Sequence, residues 1–363
     1  SDFTDAKTET QVGDAYVIEA IERGTRSLND KYRSSVNPGP FLVLHRARKW
    51  NATEGVWMGW ERKRGKLAEF NRFLRGGSAS AFPTIAGDPA LLADIRYVIT
   101  LDSDTVLPRG AAAQLVGTMA HPLNRPEYDA ALGRVTRGYG ILQPRVGVAL
   151  TSAYRSKFAA VHSGHPGVDP YTTAVSDVYQ DLYDEGSFTG KGIYDVNAFE
   201  EATHGRFPEN TLLSHDLIEG TYVRAGLTTD IELYDDYPTR YLAYTRRKHR
   251  WIRGDWQILS WLKARVPGPD GPEPNRLSTL SRWKIFDNLR RSLVEIALVL
   301  LLIAGWFVLP GSPLLWTGVV LVLVAFPWLF AALLELIQPP TDQSLQAYYG
   351  AVMRDIVGSA EQF

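Results

Sequence analysis

One stretch of the sequence limits what this chain can fold into more than any other. Tyr97–Thr100 is an apolar run with β-branched residues, which indicates a buried strand. Asp102 and Asp104 follow it, and ligands of α/β sheets bind at the carboxyl ends of strands. Two acids so close repel each other unless a cation or hydrogen-bond donors neutralise them. The pair therefore suits a hard divalent ion that also binds a phosphate. The alternative is two acids that only cap a turn or a helix start.

The composition excludes several classes of function. The chain has 363 residues and a net charge of −1, so no overall positive charge attracts nucleic acid. It contains no cysteine, which excludes disulfides, thiolate nucleophiles and cysteine-based zinc sites. Its ten Trp and 17 Tyr residues could stack on sugars or lie at a membrane interface, and their number alone does not separate these two uses.

Several segments carry residues suited to binding or catalysis. The segment 61–66 holds four cations within six residues, which is typical of a solvated face but also suits a phosphate site. Cations around Trp251 suit either anionic lipid headgroups or a diphosphate beside a sugar ring. The Gly-rich turn at 185–192 lacks the glycine spacing of a Walker loop. Asp216, with Glu219 three residues later, predicts a helix start close to a capping box.

The C-terminal part of the chain has a different composition. A linker rich in Pro, Gly and acids is expected at 267–274, followed by a basic interfacial helix at 283–292. The segments 293–309 and 314–337 are nearly uncharged, and each has about the length that crosses a bilayer. The basic residues before the first apolar segment predict that the preceding domain lies on the cytoplasmic side.

Taken in order, these motifs resemble those of the processive membrane β-glycosyltransferases, the cellulose-synthase-like enzymes. The residues that carry the resemblance are Asp2, Gly65-Lys66, Asp102-Ser103-Asp104, Phe188-Thr189-Gly190, His215-Asp216 and Arg247-Lys248-His249-Arg250-Trp251. The sequence around these motifs is most similar to that of the glycosyltransferase domain of bacterial cyclic β-1,2-glucan synthases, which are very large inner-membrane proteins. Two positions depart from the family pattern, because His215 replaces a Glu and Arg247 replaces a Gln.

The resemblance implies a fold, a reaction and a role for each matched residue. The implied fold is α/β, a GT-A-type (Rossmann-like) glycosyltransferase domain followed by a transmembrane helical hairpin. The implied reaction is a metal-assisted, inverting transfer of glucose from UDP-glucose onto a growing β-glucan. The residues implied to bind the donor are Asp2, Lys66, Asp102, Asp104, Arg247 and Arg250, and Asp102 and Asp104 are also implied to bind Mg²⁺ or Mn²⁺. The residues implied to bind the acceptor are Phe188, Thr189, Gly190 and Trp251. Asp216 is the implied catalytic base.

The resemblance also implies an organisation and a location. The expected parts are a glycosyltransferase domain with a truncated first strand at 1–265, a linker and interfacial helix at 266–292, two transmembrane helices at 293–337 and a truncated cytoplasmic tail at 338–363. They imply a multi-pass protein of the bacterial inner membrane, with a cytoplasmic catalytic domain, that contacts membrane lipid and other domains of a larger polypeptide. Two alternatives stay open: a synthase of another β-glucan linkage, and an inactive membrane-anchored scaffold that binds sugar nucleotides.

Overall fold

The chain folds as a mixture of helices and short strands. A computed structural model describes residues 1–34, 39–163, 177–212, 215–337, 344–346, 348–350 and 352–353. Its helices are α1 (Asp14–Tyr32), α2 (Arg62–Leu74), α3 (Ala111–Ala120), α4 (Leu150–Ala153), α5 (Lys157–His162), α6 (Val178–Tyr183), α7 (Val196–Thr203), α8 (Asp216–Val223), α9 (Tyr241–Gln257), α10 (Thr279–Phe307) and α11 (Pro313–Ile337). Its strands are β1 (Val43–His45), β2 (Lys49–Asn51), β3 (Val56–Met58), β4 (Thr84–Ala86), β5 (Tyr97–Thr100), β6 (Thr105–Val106), β7 (Glu127–Asp129), β8 (Arg134–Arg137), β9 (Ile141–Val148), β10 (Gly192–Asp195), β11 (Ala225–Asp235), β12 (Arg265–Gly268) and β13 (Gly271–Pro274).

A mixed five-stranded sheet forms the centre of the fold, in the order β5-β10-β9-β11-β6. Strand β10 is antiparallel to both β5 and β9, whereas β9 and β11 run parallel. The predicted strand at Tyr97–Thr100 is β5, at one edge of this sheet, where Thr100 is buried and the three residues before it are partly buried. This architecture fits the predicted α/β, Rossmann-like class.

Strand register decides which residues meet at the end of β5. Thr100 pairs with Gly192, the first residue of β10, so the residues just outside both strands come together. At the opposite edge, Thr105 of β6 pairs with Asp235, the last residue of β11. The acids that follow β5 therefore lie between the start of β10 and the end of β11.

Two apolar clusters cover the sheet. The smaller one packs α3 against the sheet through Leu115, Met119, Leu142, Ile193 and Ile231, each nearly inaccessible to solvent. The larger one joins α7, α8 and the segment around Trp261 to the sheet through side chains such as Tyr194 and Ile218. Burial of this kind contributes roughly 25 cal/mol per Å² of apolar surface removed from water. The two clusters lie on opposite faces of the sheet, because neighbouring strand residues alternate between them: Tyr194 belongs to the larger one and Ile193 to the smaller one.

The expected linker is ordered and forms a β-hairpin. Strands β12 and β13 pair antiparallel, with Val266 opposite Glu273 and Gly268 opposite Gly271. Pro269 and Asp270 occupy the turn, and Gly271 has a φ of 124°, a conformation that glycine adopts without steric cost. The same Pro, Gly and Asp residues that predict a linker therefore encode a tight turn between two short strands.

The C-terminal segments form two long helices. The expected interfacial helix and the first apolar segment belong to one continuous helix, α10, and the second apolar segment is α11. The helices pack together near their connecting turn, where Trp306 Nε1 donates a hydrogen bond of 3.0 Å to Thr317 Oγ1 and Trp316 lies against Gly305. Of the helices in the described ranges, none has the combination of length and apolar character needed to cross a membrane. The prediction of two transmembrane helices at 293–337 is not confirmed, and the expected tail at 338–363 lies mostly outside the described residues.

A buried lysine joins α10 to the sheet domain. Lys284 is 2% exposed, and its Nζ donates to Glu185 Oε1 at 3.0 Å and to the carbonyls of Glu185 and Gly186 at 2.9 and 2.8 Å. Glu185 is equally buried. A buried ammonium group is stable only when its charge and its hydrogen bonds are satisfied, and here three acceptors do this.

Removal of this lysine tests how firmly α10 is attached. Lys284→Met should lower the free energy of unfolding by about 3–5 kcal/mol, because the buried Glu185 carboxylate loses its closest cation and keeps only Arg224, whose NH1 is 3.9 Å from Glu185 Oε2. The control is Arg23→Met, which removes an exposed ion pair with Glu19. This substitution should change the free energy of unfolding by less than about 0.5 kcal/mol. Equilibrium denaturation in urea measures both values, and equal effects of the two substitutions would contradict this account.

Candidate active site

Asp102 is held by two lysines from different parts of the fold. Lys63, in the first turn of α2, donates from Nζ to Asp102 Oδ1 at 2.6 Å. Lys191, which immediately precedes β10, places its Nζ 3.1 Å from Asp102 Oδ2 and 2.8 Å from Asp235 Oδ2. Burial alone would raise the pKa of Asp102, but the two ammonium groups outweigh it and hold that pKa below its ordinary value. Asp102 is therefore a charged group in a partly buried cluster.

Asp104 and Asp235 complete the cluster with an arginine from α9. Arg247 NH2 lies 3.6 Å from Asp104 Oδ2 and 4.0 Å from Asp235 Oδ2, and Thr105 Oγ1 donates to Asp235 Oδ1 at 2.6 Å. Lys191 is 90% buried, yet its pKa is raised, because Asp102 and Asp235 together outweigh the cost of burial. Three carboxylates thus face three cations at this end of the sheet.

The cluster offers two carboxylates that a metal ion can use. Asp102 and Asp104 have side chains about one-third exposed, and Mg²⁺ or Mn²⁺ takes one or two carboxylates and fills the remaining positions with water and substrate phosphate. The residues therefore fit such an ion. An ion on Asp102 would compete with the ammonium groups of Lys63 and Lys191 for the carboxylate oxygens.

Asp216 lies on the other side of Gly190 from this cluster. A Cβ on Gly190 would lie 2.7 Å from Asp216 Oδ1, and the φ of Gly190 is 91°, so only glycine fits here without strain. The carbonyl of Gly190 accepts a 2.6 Å hydrogen bond from Lys63 Nζ. Through Gly190 and Lys63, the carboxylate of Asp216 is thus connected to that of Asp102.

The helix that carries Asp216 begins differently from the prediction. The N-cap of α8 is His215, without a side-chain capping bond, and Asp216 is the first helical residue. The expected capping box is therefore wrong, because Asp216 lies inside the helix instead of at its N-cap, and Glu219 Oε2 lies 2.8 Å from the His215 ring nitrogen Nδ1 and not at a backbone N–H. The charge of Asp216 still gains from its place at the positive end of the helix dipole.

The predicted acceptor loop contributes mainly through its backbone. The side chain of Phe188 is buried in the larger apolar cluster, against Gly220. Thr189 donates from its amide and its hydroxyl to Gln143 Oε1, at 3.0 and 3.1 Å. These contacts fix the loop from behind and leave Gly190 between Lys63 and Asp216.

Asp2 forms an ion pair with Lys66, which lies on α2 one helical turn after Lys63. Lys66 Nζ lies 3.3 Å from Asp2 Oδ2, and Arg46 Nε donates to Asp2 Oδ1 at 2.7 Å. Arg46 is almost fully buried, and its second acid partner is Glu69. This network attaches the N-terminal segment to α2, and it leaves Lys66 partly exposed on the same helix as Lys63.

The remaining predicted residues lie on α9. The guanidinium of Arg247 stacks over the ring of Trp251, 5.1 Å from its centroid. Trp251 is partly buried and Arg250 is exposed. The stack ties Trp251 to the acidic cluster through Arg247, whereas Arg250 projects from the helix toward solvent.

Three charged residues of the site are missing from the sequence-based prediction of donor-binding residues. Lys63 belongs to the basic segment 61–66, which does indicate a phosphate site, but the segment does not single out one of its four cations. Lys191 and Asp235 have no local signal, because they approach Asp102 only through the registers of β10 and β11. To predict these contacts from the sequence, one would need to know which strands pair and in which register.

A mixed α/β fold with paired acids at a strand end is consistent with a glycosyltransferase. Among curated proteins, the chain is 44% identical over 358 residues to the cyclic beta-(1,2)-glucan synthase NdvB of Rhizobium meliloti (strain 1021). The match covers 98% of this chain and 12% of that synthase. No protein-family model matches the chain. The resemblance inferred from the motifs is confirmed, since the chain is closely similar to one region of this synthase.

The buried lysine of the cluster gives a pH-dependent prediction. Lys191→Met should lower the free energy of unfolding at pH 7 by about 3–5 kcal/mol, because Asp102 and Asp235 lose the ammonium between them. A carboxyl with a depressed pKa stabilises the fold above its unfolded value of 3.8 and loses that contribution as the pH falls through the folded value. The difference in the free energy of unfolding between Lys191→Met and the unmodified chain should therefore be smaller at pH 3 than at pH 7.

Urea titrations at the two pH values measure this difference. Lys49→Met removes an exposed lysine 3.7 Å from Glu69 and should have an effect below about 0.5 kcal/mol at either pH. A loss in Lys191→Met that is the same at pH 3 and pH 7 would show that packing of the side chain, rather than its charge, stabilises this part of the fold.

Proposed function

We propose that this chain is the glycosyltransferase domain of a cyclic β-1,2-glucan synthase and moves glucose from UDP-glucose onto a growing β-glucan. The observation that supports this most is the connection of Asp216 to Asp102 through Gly190 and Lys63. It sets a candidate base beside a charged cluster suited to a diphosphate. The identity to the Rhizobium synthase supports the class of product, and the 12% coverage supports a role as one domain of a larger polypeptide.

The donor side has to stabilise a leaving diphosphate. Negative charge develops on that group as the glycosidic bond breaks, and fixed cations beside it lower the barrier. Lys63 and Arg247 are partly exposed cations of the cluster, and the planar fork of an arginine matches phosphate oxygens well. Mg²⁺ or Mn²⁺, held by Asp102 and Asp104, would supply Lewis-acid stabilisation of the same charge. Asp2, Lys66 and Arg250 are proposed to contact the rest of the nucleotide sugar.

The acceptor side has to remove a proton. In the proposed step, the acceptor hydroxyl oxygen attacks C1 of glucose while Asp216 accepts the hydroxyl proton. The bond from C1 to the phosphate oxygen breaks on the opposite side, so the α-linked glucose becomes β-linked and UDP leaves with the bonding electrons. Gly190 leaves room for the acceptor beside Asp216, and the ring of Trp251 offers a face that holds the terminal sugar in line.

Product analysis tests the proposed function directly. The chain is incubated with labelled UDP-glucose and a divalent ion, and the linkages of the labelled product are determined. Incorporation in β-1,2 linkage is the expected result. A β-glucan with another linkage would replace the proposed product class, and tight binding of UDP-glucose without any transfer would identify a scaffold.

The role of Asp216 gives a second, residue-specific prediction. Asp216→Asn should reduce transfer by about 10²–10⁴-fold, as expected when a general base is lost. The affinity for UDP-glucose should stay near that of the unmodified chain, because Asp216 is assigned to the acceptor side. Asp230→Asn, an exposed acid on β11, serves as the matched control and should transfer normally. Unchanged transfer in folded Asp216→Asn protein would exclude this residue as the base.

The acidic pair predicts that metal and nucleotide bind together. In Asp104→Asn, one of the two carboxylates proposed to hold the ion is lost, so UDP should bind more weakly and the addition of Mg²⁺ or Mn²⁺ should no longer strengthen its binding. Calorimetric titration of UDP, with the ion and with a chelator, measures both effects, and Asp230→Asn is again the control. Metal-dependent binding of unreduced strength in Asp104→Asn would contradict the assignment.

A further inference from the structure

A buried ion pair lies directly behind Asp216. The side chains of His215 and Glu219 are 6% and 4% exposed, and His215 Nδ1 is 2.8 Å from Glu219 Oε2. The same ring nitrogen is 3.7 Å from Asp216 Oδ1. The nitrogen and the two carboxylate oxygens all lie within 4.8 Å of one another. Asp216 is the outermost of the three, with 26% of its side chain exposed.

The charges around His215 favour its protonated form. Burial alone would lower the pKa of His215, but Glu219 and Asp216 outweigh it, and the pKa is raised. Arg64 of α2 is the cation that opposes this effect, and it is itself paired with Glu61. A cation between two carboxylates this close also lowers their mutual repulsion.

His215 has no alternative role as a helix cap. It occupies the N-cap position of α8 but makes no side-chain capping bond, since its ring turns inward to Glu219. On its other side, Asp216 is confined by Gly190, where no side chain separates the carboxylate from the loop backbone. The carboxylate of Asp216 is therefore held between the imidazole ring of His215 and the backbone of Gly190.

We propose that His215 is a positioning residue for Asp216: its ring, packed against Glu219, holds the Asp216 carboxylate aimed past Gly190 toward the acceptor. This inference rests on the proposed function, in which Asp216 is the base. His215 and Glu219 do not themselves touch a substrate in this account. Their effect on the reaction passes through the orientation of one carboxylate.

The first test replaces the ring with a neutral amide side chain that does not titrate. His215→Gln should reduce kcat by about 10–10²-fold, because small misplacements of a reacting group have costs of this size. The KM for UDP-glucose should change less than about twofold, since the donor side is intact.

The second test removes the partner and leaves the ring. In Glu219→Gln, His215 loses the carboxylate that contributes most to its raised pKa, so the ring becomes neutral at a lower pH. kcat should approach that of the unmodified chain at acidic pH and fall as the pH rises through the new pKa of the ring. A purely structural defect would instead lower kcat by the same factor at every pH.

A control variant and two contrasting outcomes distinguish a failure of this inference from a failure of the proposed function. His204→Gln removes an exposed histidine paired with Glu200 at the same four-residue spacing, and its profile should match that of the unmodified chain. Normal kcat in His215→Gln and a normal pH profile in Glu219→Gln, with Asp216→Asn inactive, would overturn the positioning role alone. Full activity in Asp216→Asn would overturn the proposed base and with it this inference. If His215→Gln does not fold, the pH dependence of Glu219→Gln still decides.

Discussion

The ion pairs of Lys191 hold the end of the central sheet together. Asp102 lies just after β5, at one edge of that sheet, and Asp235 is the last residue of β11, beside the strand at the other edge. The nearly buried ammonium of Lys191 contacts both carboxylates. Without cations, the acids at this end would repel one another. Lys63 from α2 and Arg247 from α9 complete the neutralisation, so these helices must dock before the site is electrostatically stable. Folding of the domain and assembly of the site are therefore linked by charge.

The balance of three acids and three cations has a consequence for the proposed reaction. A diphosphate that approaches this cluster meets charges that already compensate one another, so its own negative charge calls for additional positive charge. A divalent ion that enters with the nucleotide would supply it, and partly exposed Lys63 could then leave Asp102 for a phosphate oxygen. Nucleotide binding and ion binding are coupled in this account because neither charge is well compensated alone.

The sequence allowed the local features to be predicted, whereas features that depend on strand register were missed. Asp102 and Asp104 were found because an apolar run and two acids are adjacent in the chain, and the order of motifs led to the correct relative. Lys191 and Asp235 could not be found in this way, since the pairing of Thr100 with Gly192 and of Thr105 with Asp235 creates their contacts. At 267–274 the composition predicts a linker but not its conformation, which is a hairpin closed by a Pro-Asp turn.

The departure of His215 from the family pattern is explained by its surroundings. A glutamate at this position would add a third carboxylate to Asp216 and Glu219, within a volume where the interacting atoms lie less than 5 Å apart. Burying that much negative charge would be very unfavourable, or would force one acid to bind a proton. A histidine can carry the opposite charge, and its Nδ1 lies 2.8 Å from Glu219 Oε2 in the same volume. The residues at 215 and 219 are therefore best understood as a matched pair.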